Sequence, residues 1–258
     1  MTETVTQSWF MLGRNVRNLL RQPIWIVTIL STPLVWLLLY SQLFRRIVEL
    51  PGFDTASYVQ FLTPGVVVMT SFFTGTWNGM SMINDLDRGI VDRFLATPAR
   101  GASIILGHVA QCALVAVVEA VIVLGVGFAL GARIEAGLVG FLVVLLAAAL
   151  VAASFAGISQ GLALLTRREE SMIAVANATA LPLMFLSSVL IAPELMPDWM
   201  RAVARVNPVN WGVVAARDVV EPGTSWATVG VHVALLLAFA AATTAFGAFA
   251  FRAYRRTL

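Results

Sequence analysis

Apolar runs of about 20 residues, separated by short polar segments, dominate this chain and leave few folds open to it. A helix rises ~1.5 Å per residue, so each run matches the ~30 Å hydrocarbon core of a bilayer. Charged residues make up only 12% of the 258 positions and mean hydropathy is +0.85. Soluble domains carry about 25% charged residues. The expected fold is therefore an all-α membrane protein with six transmembrane helices. The runs cover about 24–44, 58–83, 102–130, 138–165, 171–192 and 226–251, and the whole of 1–258 reads as one transmembrane domain. Pro33, Pro64 and Pro182 fall inside runs and mark expected kinks.

All 17 basic residues are Arg, and no Lys is present. A Walker A motif requires Lys, so the chain is not its own P-loop ATPase. The Arg-only usage, with abundant Ala, Val and Gly, suggests a high-GC bacterial source. The arginines cluster at helix ends, as topology signals do, and form no nucleic-acid patch. With both termini in the cytoplasm, 11 arginines lie inside and six outside, which is the arrangement the positive-inside rule favours. The expected location is the bacterial cytoplasmic membrane. Cys112 is the single cysteine, so no intrachain disulfide forms; His108 and His232 fall in different helices, and no metal site is expected.

Residues 4–22 are not a span. Val5, Trp9, Leu12, Val16 and Leu19 recur at helical steps, with Arg14, Arg17 and Arg21 on the other face. This pattern predicts an amphipathic helix lying in the membrane interface rather than a cleaved signal peptide.

The loop 84–100, NDLDRGIVDRFLATPAR, is too long for a mere connection. Its pattern predicts a short amphipathic helix ended by Pro98, with Ile90, Phe94 and Leu95 inward and Asp92 and Arg93 facing water. Two readings stay open on these residues: a helix that docks on a partner, or a solvated surface helix.

The stretch Asp85 to Arg100 resembles the cytoplasmic loop of ABC-2 type permeases. That loop has an acid/Arg pair, then Glu-x-Gly-Thr-hydrophobic-Glu-Arg-Leu-Leu and a Ser/Thr-Pro end. Here Asp87 and Asp92 replace Glu, and Ile90 stands where Thr is common. A second stretch resembles the same family: Leu186-Ser187-Ser188, Pro193-Glu194, Pro197 and Trp199, then Asn207-Pro208-Val209-Asn210 and Arg217. The drug- and lipid-exporting branch, with its daunorubicin-type permeases, is the nearest likeness.

The resemblance implies an ABC-2 type exporter fold. It makes 84–100 the coupling helix of a partner ATPase, with Asp85, Asp87, Arg88, Gly89, Asp92, Arg93 and Phe94 as contact residues. The turn 167–170, with Arg167, Arg168 and Glu169, becomes a second contact. The segment 193–225 becomes short helices in the outer leaflet, consistent with Leu195, Trp199, Val203 and Val206 sharing one face. Catalytic residues and bound cofactors are not expected in this chain, and ATP with Mg belongs to the partner. The implied partners are an ABC ATPase subunit, a second permease copy or paralogue, and membrane lipids.

Glu119 lies near the middle of the third run, where a carboxylate costs roughly 2.5–3.5 kcal/mol or more at mid-bilayer. His108, Gln111, Val115 and Glu119 share a helical face. That face either lines a substrate pathway or holds helices together by hydrogen bonds. Gly75–Gly79, Gly127–Gly131 and Gly157–Gly161 are GxxxG pairs and predict close helix contacts. The leading reading is the permease subunit of an ATP-driven exporter of a hydrophobic or amphipathic substrate. A proton-coupled transporter using Glu119 is the alternative.

Overall fold

The computed structural model describes residues 23–44, 57–91 and 101–256. The interfacial helix expected over 4–22, and Asp92, Arg93 and Phe94, lie outside the described residues. Every regular element among the described residues is helical. In chain order they are α1 (Pro23–Leu43), α2 (Tyr58–Trp77), α3 (Gly79–Asp87), α4 (Gly101–Ala129), α5 (Gly137–Thr166) and α6 (Glu169–Phe185). A 3-10 turn (Pro193–Leu195) follows, then α7 (Asp198–Val206), α8 (Pro208–Asp218) and α9 (Trp226–Arg255).

By length and composition, three of these helices suffice to cross a membrane: Ser103–Ala129, Gly137–Thr166 and Trp226–Arg255. They correspond to α4, α5 and α9. α2 falls outside that group on composition, carrying Gln60, Ser71 and four threonines, and 16 of its 20 residues are buried inside the protein. It can therefore carry Thr63, Thr70, Ser71 and Thr76, each hydroxyl donating to the carbonyl one turn back at 2.7–2.9 Å.

The hub of the bundle is α5, which touches α2, α3, α4, α6, α8 and α9. Its inward face is small: Ala147, Ala148, Ala152, Ala156, Gly157, Gly161 and Ala163 are all buried. Small residues let backbones approach closely, the usual basis of helix association in lipid. A Cβ on Gly75 would lie 2.5 Å from the Ala152 carbonyl oxygen, and one on Gly157 2.7 Å from the Thr243 carbonyl carbon. A Cβ on Gly161 would run into the Phe246 ring. Gly127 packs on Thr63, whereas Gly131 has φ +99° and open space around it, so it ends α4 rather than joining a helix contact.

Two runs behave differently from the expected spans. The run 58–83 is broken at Asn78, between α2 and α3. The run 171–192 is helical only to Phe185. Asn207 explains the second ending: its Nδ2 donates to the Leu183 and Leu186 carbonyls at 2.7 and 3.0 Å, satisfying the end of α6. Its Oδ1 accepts from the Val209 amide at 3.0 Å and caps α8. Asn210 accepts from the amide and hydroxyl of Ser188 at 2.9 and 2.6 Å. The Asn207-Pro208-Val209-Asn210 motif is thus a staple between α8 and the end of α6.

Arg217 completes that corner. Its guanidinium donates to the Ser188 carbonyl at 2.7 Å and lies 3.7 Å from the centre of the Phe61 ring. Most of α8 is buried against α2, α5 and α9. By contrast α7 exposes its apolar face, with Trp199 62% and Val206 70% accessible.

Candidate functional site

A cavity of about 660 Å³ lies between α1, α2, α3, α4 and α6. Thr32, Pro33 and Trp36 come from α1; Met69, Thr70, Phe73, Thr74 and Trp77 from α2; Leu181 and Met184 from α6. Met80, Ser81 and Asn84 of α3 and Gln111, Cys112 and Val115 of α4 complete the lining with Asn78. The wall is mainly aromatic and aliphatic, with hydroxyls and amides placed singly, as in sites for apolar ligands. No arginine is among these lining residues.

The floor of the cavity is formed where the helix breaks. Continuing α2 into α3 would need an unbroken ladder of backbone hydrogen bonds at Asn78. Ser159 of α5 closes the gap instead: its Oγ donates to the Thr76 carbonyl at 2.6 Å and accepts from the Gly79 amide at 2.8 Å. The neighbouring Gln160 Nε2 donates to Asn78 Oδ1 at 2.6 Å. Irregular backbone inside a membrane protein is tolerated where protein satisfies it or where it lines a cavity, and here both hold. Ser159→Ala removes the bridge and leaves two buried backbone groups short of partners, each costing about 1–3 kcal/mol. We expect a clear drop in thermal unfolding midpoint for this variant, measured against wild type in the same detergent. An unchanged midpoint would show the break to be held by packing alone.

The face predicted from His108 to Glu119 splits into two sites. Gln111 and Val115 line the cavity. Glu119 is 4% exposed, and Thr74 Oγ1 donates to its Oε2 at 2.7 Å; Thr74 itself lines the cavity. His108 lies about three helical turns away from Glu119 along α4, and its Nε2 sits 3.4 Å from Asp85 Oδ2 of α3. Two residues expected in separate roles therefore form one pair that ties α3 to α4.

The same end of the bundle gathers the charged residues expected to couple. Asp87 and Arg88 are exposed at the end of α3. Gly89 has φ +63°, a left-handed turn that suits glycine and that resets the helical face. As a result Val91 is buried at 1%, while Ile90, expected inward, is only half-buried. Arg168 and Glu169 are exposed in the turn between α5 and α6, beside exposed Arg252, Arg255 and Arg256 at the end of α9. Arg167, with φ +53°, has its guanidinium 4.6 Å from the centre of the Tyr254 ring. Beneath this charged face lies a second apolar cluster containing Met82, Ile83, Val91, Leu164, Met172 and Phe251. It joins α3 to α5 and α6, which α3 touches directly, and extends to α4 and α9.

Sequence reasoning did not single out Thr74, Asn78, Ser159 or Gln160. The available signal was a polar residue or pair inside an apolar run: Asn78 after Trp77, and Ser159-Gln160 within α5.

An all-helical bundle with an apolar exterior, a polar break between α2 and α3 and a cavity beside that break fits a polytopic membrane permease. The profile of the family described as ABC-2 type transporter matches residues 6–220, and the chain belongs to that family. The daunorubicin resistance ABC transporter permease protein DrrB1 of Streptomyces coeruleorubidus is 26% identical over 255 residues, covering 99% of this chain and 87% of that protein. The putative transport permease ycf38 of Cyanophora paradoxa is 26% identical over 78% of this chain and 69% of its own length. ABC transporter G family member 20 of Dictyostelium discoideum is also 26% identical, over 70% of this chain but 24% of its own length.

Proposed function

We infer that this chain is the membrane-spanning subunit of an ATP-driven exporter in a bacterial cytoplasmic membrane. It moves a hydrophobic or amphipathic substrate outward, and a separate ABC ATPase supplies the energy. ATP and Mg belong to that partner. The observation that carries the reading is the placement of the cavity floor: Asn78, Met80, Ser81 and Asn84 line the cavity, and the same short helix α3 ends in exposed Asp87 and Arg88. A push on the charged end therefore reaches the cavity through one short helix of about two and a half turns. The loop 84–100, including Asp92, Arg93 and Phe94, is the docking element, and Arg168 and Glu169 are a second contact.

With six crossings formed by α1, α2, α4, α5, α6 and α9, both termini lie in the cytoplasm. The apolar face of Leu195, Trp199, Val203 and Val206 then rests in the outer leaflet interface. A second permease copy or paralogue covers α6. That helix packs through a single stripe of Met172, Ala176, Ala180 and Met184 and leaves Asn177 and Thr179 exposed at its middle. An amide there is better placed against protein than against lipid.

The test is reconstitution with the cognate ATPase. Arg93→Glu should uncouple the pair, abolishing vanadate-sensitive export while the permease remains monodisperse. Intact export in that variant would overturn the coupling role. Export driven by a proton gradient and indifferent to vanadate would instead establish the alternative, a proton-coupled transporter using Glu119.

A further inference from the structure

Of the three long apolar helices, α9 is the least enclosed: 28% of its most apolar stretch is buried, against 44% for α4 and for α5. Its buried face ends on Gly247, Ala250, Phe251 and Tyr254. On the opposite face Ala242, Ala245, Phe249, Arg252 and Arg256 recur at steps of three and four, and all are exposed. Exposed Arg255 adjoins the last of them. One stripe of α9 is thus apolar along the span and cationic at its end. The helix is ~45 Å long at ~1.5 Å per residue, ~15 Å more than the hydrocarbon core, so its last turns reach the headgroup layer.

The three charges are unanswered within the protein. α9 contains no Asp or Glu, and among the described residues no carboxylate lies in salt-bridge reach of Arg252, Arg255 or Arg256. Arg167 differs, since its guanidinium lies over the Tyr254 ring on the buried side. Topology alone requires charge near the end of a span; it does not require three guanidinium groups on or beside the stripe that meets lipid. A guanidinium fork matches a phosphate with two parallel hydrogen bonds. A phosphatidylcholine headgroup brings its own cation beside that phosphate, whereas an anionic headgroup does not. We propose that the end of α9 is a seat for an anionic phospholipid, with Arg252, Arg255 and Arg256 on its phosphate and an acyl chain along Ala242, Ala245 and Phe249. Placing this seat in the cytoplasmic leaflet rests on the exporter reading above; the headgroup chemistry does not.

The test is native mass spectrometry of the full-length permease in neutral detergent, titrated with equal amounts of phosphatidylglycerol and phosphatidylcholine. Wild type should retain phosphatidylglycerol first, by about tenfold or more. Changing Arg252, Arg255 and Arg256 together to Gln should bring that ratio to about one. Changing Arg14, Arg17 and Arg21 to Gln removes the same charge elsewhere and should leave the ratio unaltered. A wild-type ratio near one overturns the proposal, as does a ratio that survives the α9 variant or falls equally in the control. Excess glycerol 1-phosphate should not displace the lipid; full displacement would make this a site for soluble phosphates and overturn the seat. Should the triple variant not stay monodisperse, Arg252→Gln and Arg256→Gln decide singly: a lowered ratio supports the seat and an unchanged one overturns it. Orientation is read separately, by protease cleavage of a C-terminal tag. Cleavage from outside intact cells would sink the topology of the exporter reading and leave the lipid seat standing.

Discussion

Gly157→Ala should destabilise the permease strongly, whereas Gly125→Ala should leave it unharmed or slightly more stable. Both glycines sit inside long helices, and only their surroundings differ. A Cβ on Gly157 would lie 2.7 Å from the carbonyl carbon and 2.8 Å from the carbonyl oxygen of Thr243. Those atoms are backbone, so no rotamer change relieves the contact, and α5 and α9 must separate. Overpacking of this kind costs about 1–3 kcal/mol, and a larger side chain such as Leu should prevent assembly. A Cβ on Gly125 meets nothing within 4 Å, and Ala is favoured over Gly in a helix by about 0.5–1 kcal/mol. Thermal unfolding followed by size-exclusion recovery compares the two. Equal midpoints would mean that the α5–α9 contact is looser than the geometry described here.

Asn207→Asp should be more damaging than Asn207→Ala, although Asp is the closer match in shape. The amide nitrogen of Asn207 donates to two carbonyls at the end of α6, and its oxygen caps α8. Alanine loses the cap, worth about 1 kcal/mol, and leaves two carbonyls short of donors at about 1–3 kcal/mol each. Aspartate keeps the cap but aims a charged oxygen at the same two carbonyls, replacing attraction with repulsion in a site only 3% exposed. Proteolysis of the 186–207 stretch gives a direct readout, with faster cleavage expected in the order wild type, Ala, Asp. Protection of the aspartate variant equal to wild type would show that the α6 carbonyls find other donors.

How much was readable beforehand depended on where each signal lies. The apolar runs marked the long helices to within a few residues, because hydrophobicity along 20 or more positions is a local property. Runs ended early wherever a distant side chain intervened. Asn78 broke the second run because Ser159, 81 residues later, bridges the backbone across the gap. The fifth ended at Phe185 because Asn207 satisfies its last carbonyls. Glu119 was conspicuous as a mid-run acid, yet Thr74 was one threonine among several in α2. Only the antiparallel packing of α2 on α4 brings the two within 2.7 Å. Periodicity alone puts His108 on the same face as Glu119. The pairing with Asp85 follows from α3, whose position the helical period of α4 does not encode.

From its residues alone the chain is a helical membrane protein whose sequence holds no Walker A lysine, since long apolar runs and the lack of Lys act without reference to partners in space. The ABC-2 motifs at 85–100 and 186–217 are likewise local strings, and the family follows from them. Tertiary structure decided which polar residues serve the fold and which face the cavity. Asn207, Asn210 and Arg217 bond across elements away from the cavity, while Thr74 and Asn78, which also bond across elements, line its roughly 660 Å³ together with Gln111. That division depends on which helices neighbour one another, and neighbours are set by the small faces of α5 rather than by any one run.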